Sequence, residues 1–215
     1  YEYRKSLGAE LAKESHTNSD LIIPVPDSGV PAAIGYSEEV KKNVELGIIR
    51  NHYVGRTFIE PTQQIRSLGV KLKHNVNKSL IKNKSLTLID DSLVRGTTSV
   101  KIIKMLYEAG AKEVHMRIAS PPIKYPDYYG VDTPSKDELL ASKFDIEGMR
   151  KFINAKTLQF LSIEGLYKSM GYEKRNSSYP QFTDHCFTGE YPVEPVDANS
   201  KDFMDKKISL MSAKS

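Results

Sequence analysis

The sequence predicts an α/β fold: a doubly wound, mainly parallel sheet with helices on both faces. Two short apolar runs, residues 21–25 (Leu-Ile-Ile-Pro-Val) and 86–89 (Leu-Thr-Leu-Ile), suit strands buried on both faces. Each run passes through a loop into apolar residues at helical spacing: Val30, Ala33, Ile34 and Val40 after the first, and Val100, Ile102, Ile103, Leu106 and Ala109 after the second. Strand and helix alternate in this way through residues 21 to 170, which is the pattern of parallel strands that gather ligands at their C-terminal ends.

Taken in order, Tyr3, Leu7 and Leu11 place a surface helix over residues 2–13. The first strand follows Asp20 and ends in Pro26-Asp27-Ser28-Gly29, a turn by composition. Residues 47–49 suggest a short strand, after which residues 52–73 show no sustained period. That segment mixes Gly, Pro, Thr and Gln with Arg56, Arg66, Lys71 and Lys73, and a loop of such length inside a compact domain reads as a lid, about residues 53–75. The second strand ends at Asp90 and Asp91, and its helix stops at Gly110, a left-handed cap. Residues 113–119 alternate as a strand with one wetter face, near the sheet edge; 125–135 form a loop rich in proline and aromatics. Short helices are expected at 138–141 and 146–153, a strand at 158–161, a helix at 165–170, and a terminal helix at 201–211 beyond an aperiodic stretch from 172 to 200.

Composition narrows the function classes. The 215 residues are 39% hydrophobic and 27% charged, an ordinary globular balance, enough for one α/β domain with an appendage. A net charge of +4, from 31 basic against 27 acidic residues, suits anionic small molecules and gives no case for nucleic acid. No apolar run reaches the roughly 18 residues that span a bilayer and no signal peptide opens the chain, so no membrane partner and a cytoplasmic location are expected. The single cysteine, Cys186, excludes an internal disulfide framework. The histidines, His16, His52, His74, His115 and His185, lack zinc-ligand spacing, and most are expected on the surface or in loops. Dinucleotide and Walker-type glycine motifs are absent.

The chemistry concentrates in residues 85–99. A strand closes on two carboxylates, Asp90 and Asp91; then Ser92, Arg95, Gly96, Thr97, Thr98 and Ser99 lead into a helix. Free N–H groups at the helix start bind a phosphate, and Thr and Ser hydroxyls add donors. The carboxylates, one turn earlier, can accept hydrogen bonds from a vicinal diol or face Mg²⁺. A ribose 5-phosphate satisfies both halves. Two plainer readings stand beside it: a phospho-acceptor pair after a strand, and a simple N-cap.

In its wording this stretch resembles the signature of type I phosphoribosyltransferases, enzymes that use 5-phosphoribosyl-1-pyrophosphate (PRPP). The resemblance implies that fold. It also implies that Asp90 and Asp91 hold the ribose hydroxyls, that Gly96 to Ser99 hold the 5-phosphate, and that Pro26, Asp27, Ser28 and Gly29 support the pyrophosphate, with Ser28, Asp90 and Asp91 around Mg²⁺. A narrower resemblance rests on Asn51, on Tyr53-Val54-Gly55-Arg56-Thr57-Phe58-Ile59, and on Pro61, Gln63-Gln64, Arg66 and Val70. These words, with the loop at 125–135, are similar to the glutamine PRPP amidotransferases. That family implies displacement of pyrophosphate by ammonia to give 5-phosphoribosylamine, the entry to purine synthesis, with Arg56, Arg66, Lys71 and Lys73 as the catalytic cations of a closing lid.

The resemblance also implies what lies outside it. Ammonia in the family comes from an N-terminal glutaminase domain with an N-terminal cysteine, and this chain opens on Tyr1 with nothing similar. It is therefore expected to be the synthase piece of a larger enzyme: a phosphoribosyltransferase domain over 1–171, a C-terminal extension over 172–215, and the missing glutaminase as partner. A homo-oligomer is expected. An iron–sulfur cluster, carried by some members on four cysteines, is not: Asp127 and Thr183 stand at ligand places and only Cys186 remains. Two alternatives share the central motif, a base-salvage phosphoribosyltransferase and a non-catalytic PRPP-binding regulator.

Overall fold

A computed structural model describes residues 1–51, 74–131 and 133–193. Its centre is a four-stranded sheet in the order β1-β4-β5-β6, with β1 at Leu21–Pro24, β4 at Ser85–Asp90, β5 at Glu113–Ile118 and β6 at Thr157–Phe160. Every pairing in it is parallel. Parallel neighbours need crossovers, and α2 (Val30–Val40), α4 (Thr97–Glu108) and α6 (Ile146–Ile153) lie in them, while α1 (Glu2–Ser15) precedes the first strand and α7 (Ile163–Ser169) follows the last. A smaller antiparallel ribbon, β2 (Ile48–Arg50) with β3 (His74–Val76), flanks the segment outside the described residues, and the short α3 (Lys78–Ile81) follows it.

Side chains alternate across β1 and β4, and the two faces bury two cores. On one face Ile23, Leu86, Leu88, Val114 and Met116 meet Ile102, Ile103 and Leu106 of α4 and Met149 and Ile153 of α6. On the other, Ile22 and Ile89 meet Leu11 and Ala12 of α1 and Ala32, Ala33 and Tyr36 of α2. The doubly wound, mainly parallel expectation therefore holds. The expected helices and strands at 2–13, 47–49, 146–153, 158–161 and 165–170 all appear within a few residues of their predicted bounds.

Several expectations are corrected. The strand at 113–119 is an inner one, paired to β4 and β6, and its alternating polar residues are not wet. Arg117 is buried because its guanidinium caps the end of α1. Nε donates to the Ser15 carbonyl (2.7 Å), Nη1 to the Met116 carbonyl and Thr157 Oγ1 (2.9 Å each), and Nη2 to Thr17 Oγ1. The negative end of the α1 dipole substitutes for a counter-ion. His115, beside it, is buried with Nδ1 3.0 Å from Thr157 Oγ1, and His185 is buried against Asp127, so neither is a surface histidine. The predicted helix at 138–141 divides into a 3₁₀ turn (Lys136–Glu138) and α5 (Leu140–Lys143).

Among the described residues after 172 there is one short helix, α8 (His185–Thr188), and this segment docks through polar contacts. The Tyr167 hydroxyl donates to Asp184 Oδ2 at 2.9 Å, and Arg175 bridges Asp184 and Glu190 at 2.5 Å each. The expected terminal helix at 201–211 lies outside the described residues.

Candidate functional site

The register Pro24↔Ile89 sets the C-terminal ends of β1 and β4 side by side. The Val25 amide extends the ladder by donating to the Ile89 carbonyl at 2.8 Å. The turn at 26–29 therefore lies against the acidic pair. Gly29 is required there by close approach: a Cβ would run into the Ile89 carbonyl and lie 3.1 Å from the Asp90 Cα. The peptide bond between Pro26 and Asp27 is cis.

Ser28 Oγ donates to Asp90 Oδ1 at 3.2 Å, and the Asp91 amide donates to the same oxygen at 2.9 Å. Asp90 is otherwise enclosed, at 7% exposure. Burial first, and the neighbouring Asp91 charge second, push its carboxyl up to about 8. Asp91 stays half-buried and accepts a hydrogen bond from Ser92 Oγ at 3.1 Å. The pair is thus two carboxylates of unlike environment on one strand end, held so that a cation or hydroxyl donors would relieve their repulsion.

The loop then turns at Gly96, whose φ of 75° is left-handed and suits only glycine well. This turn starts α4 with no side-chain cap and leaves Thr97 and Thr98 exposed. The first-turn N–H groups of a helix have no intrahelical acceptor, so this helix start offers backbone amides, two exposed hydroxyls and the positive end of a 12-residue helix dipole to an anion. The loop is braced from behind. The Leu140 amide donates to the Val94 carbonyl at 2.9 Å, and Leu140 and Phe152 pack against Gly96.

Some predicted residues sit apart from this convergence. Ser99 is buried under the helix start, and Arg95 is exposed and turned to Glu138, with Nε 3.2 Å from Oε1. Arg56, Arg66, Lys71 and Lys73 lie outside the described residues, as does the expected lid except its end, where His74 and Asn75 are strand β3 rather than loop. One cation was not singled out from the sequence: Arg50, the last residue of β2, whose Nη1 lies 2.6 Å from Asp27 Oδ2. Only the fold brings these two together, 23 residues apart.

The described residues contain no cluster of three or more His, Cys, Asp and Glu side chains able to hold a metal on protein ligands alone. Two carboxylates and the Ser28 hydroxyl nevertheless fit Mg²⁺, which takes one or two carboxylates and completes its shell with water and substrate oxygens. At the place of the family's cluster ligands, Asp127 Oδ2 meets His185 Nε2 at 2.6 Å and the second carboxylate oxygen accepts the Tyr129 and Val131 amides. Burial pushes the Cys186 thiol up to about 11, as befits an inert side chain. No helix among the described residues is long and apolar enough to cross a membrane.

No family model matches the chain. Curated proteins do. It is 56% identical over 214 residues to an amidophosphoribosyltransferase of Rhizobium etli and 49% identical over 191 residues to that of Bacillus subtilis, covering 99% and 89% of this chain. It spans 43% and 40% of those relatives, about two fifths of their length. A solved structure of the Bacillus subtilis glutamine PRPP amidotransferase, complexed with ADP and GMP, superposes with a TM-score of 0.79 at 49% identity, covering 89% of this chain and 42% of that one. A second, described as the allosteric regulatory enzyme of purine biosynthesis, gives 0.79 at 48% identity over 89% of this chain and 41% of its own. With the acidic pair, the Thr-Thr-Ser helix start and the parallel sheet all in place, the chain belongs to the amidophosphoribosyltransferase family and has the type I phosphoribosyltransferase fold.

Proposed function

We propose that the chain is the phosphoribosyltransferase part of an amidophosphoribosyltransferase, binding PRPP with Mg²⁺ and displacing its pyrophosphate with ammonia to give 5-phosphoribosylamine. The observation that carries this reading is the adjacency of the Asp27–Gly29 turn and the Asp90–Ser99 loop across the β1–β4 pairing. One ligand with a phosphate at one end, a diol in the middle and a diphosphate at the other matches the whole edge. In this reading Thr97, Thr98 and the α4 amides hold the 5-phosphate, and Asp90 and Asp91 accept from the ribose hydroxyls. A ribosyl centre losing pyrophosphate develops oxocarbenium character, so the protein must stabilise the leaving group more than supply a strong base. Mg²⁺ on Asp90, Asp91 and Ser28 would supply positive charge to the diphosphate. Arg56, Arg66, Lys71 and Lys73 are assigned to the same task, each such donor being worth on the order of 2–4 kcal/mol of transition-state stabilisation.

The proposal extends to the division into a catalytic region over 1–171 and an extension over 172–215, to a glutaminase partner as ammonia source, to a homo-oligomer and to a cytoplasmic enzyme. Pyrophosphate release from PRPP, measured with ammonium chloride and then with free purine and pyrimidine bases, tests the activity. Ammonia-dependent release is expected. Release with a free base would assign base salvage instead, and PRPP binding without release under either condition would assign a non-catalytic binder.

A further inference from the structure

The turn at 26–29 carries an exposed carboxylate where a diphosphate would approach. A diphosphate approaching it meets three carboxylates, Asp27, Asp90 and Asp91, at one strand edge. In the PRPP reading Asp90 and Asp91 face Mg²⁺ or the ribose hydroxyls. Asp27 has neither role available: its side chain is 54% exposed, and its hydrogen-bonded charge partner is Arg50, itself 40% exposed, at 2.6 Å. The turn also keeps some of its own amides occupied. Gly29 N–H donates to the Val25 carbonyl at 2.9 Å and Val30 N–H to the Asp27 carbonyl at 3.3 Å. Backbone donors alone are therefore a weak counterweight to an exposed carboxylate.

An exposed ion pair of this kind contributes little to stability. Its position gives it another use. Arg50 ends β2, on a ribbon separate from the central sheet, and reaches across to the turn. We infer that Arg50 is an electrostatic positioning residue of the pyrophosphate subsite: its guanidinium neutralises Asp27, so that a diphosphate can approach the turn without meeting an unscreened like charge. The inference rests on the PRPP reading of this edge. Its distinguishing content is that Arg50 acts through Asp27, whereas a cation that grips the anion directly would act without it.

The two roles separate in a double-mutant cycle. Isothermal titration of this chain with Mg²⁺-pyrophosphate, and separately with ribose 5-phosphate, is compared for wild type, Arg50→Gln, Asp27→Asn and the double variant. Arg50→Gln is expected to weaken pyrophosphate about fivefold, the size of one charge pair about 4 Å apart in water-like surroundings, and to leave ribose 5-phosphate unchanged. Asp27→Asn alone is expected to tighten pyrophosphate, and the double variant to return within about twofold of wild type. A double variant as weak as Arg50→Gln would overturn the inference, as would an Arg50→Gln variant indistinguishable from wild type. Circular dichroism melts keep the comparison to folded variants. A wild-type chain that binds ribose 5-phosphate but no pyrophosphate overturns this inference alone; one that binds neither overturns the PRPP reading and the inference together.

Discussion

The two strand–loop–helix units that meet at the sheet edge are built alike and finished differently. In the first, β1 runs into a tight turn whose amides fold back on the chain, whose serine is spent on Asp90 and whose aspartate is paired to Arg50. In the second, β4 runs into an open loop with a left-handed glycine, free first-turn amides and exposed Thr97 and Thr98. The second is organised for an anion before any arrives. The first depends on charges brought from elsewhere in the chain. In the PRPP reading, a ligand with two anionic ends is anchored by a helix start at one end and admitted by a charge from a separate ribbon at the other.

Glycine substitutions break the comparison most sharply. Gly29→Ala drives a Cβ into the backbone of Ile89 and Asp90, which cannot give way, and should cost about 3 kcal/mol or prevent folding, read by urea unfolding. Gly96→Ala meets chiefly the flexible ends of Leu140 and Phe152 but must hold a positive φ, so a loss of about 1–2 kcal/mol is expected. That variant should still fold, with ribose 5-phosphate affinity reduced. Equal losses at the two positions would remove the distinction drawn above.

The acidic pair gives a pH test. Asp90 has its folded carboxyl raised to about 8, against an unfolded value near 4. Between those limits the folded state holds the extra proton, so the contribution of Asp90 to stability falls as pH rises from 4 towards 8 and is flat above. Asp90→Asn keeps an acceptor for Ser28 and Asp91 but removes the ionisation. In chelator-treated protein its melting temperature should pull ahead of wild type between pH 5 and pH 8, by the equivalent of about 1–3 kcal/mol. A constant gap would show that Asp90 ionises normally. The smallest effect belongs to Arg95, whose exposed pairing with Glu138 predicts a change within about 0.5 kcal/mol for Arg95→Ala.

How much of this was legible in the sequence follows from the range of the forces involved. The strand–loop–helix units were, because burial pattern and turn chemistry are local and residues 86–89 and 100–109 carry them plainly. The wetter reading of β5 failed because Arg117 and His115 are satisfied by α1 and β6, elements remote in sequence. Arg50 and Asp27, and likewise Asp127 and His185, pair only through tertiary folding, so no local pattern announces either pair. The single sequence-level signal for Arg50 was its place directly before the basic segment of 52–73.

In the proposed function the ends of β1 and β4 hold the two halves of one ligand. Titrating PRPP with Mg²⁺ into wild type and into an Asp90→Ala/Asp91→Ala variant, with folding checked by circular dichroism, tests it most directly. Saturable binding by wild type is expected, with a loss of at least about a hundredfold in the variant, two lost charge-assisted contacts at roughly 1.5–3 kcal/mol each. Equal affinity in the two proteins would contradict it.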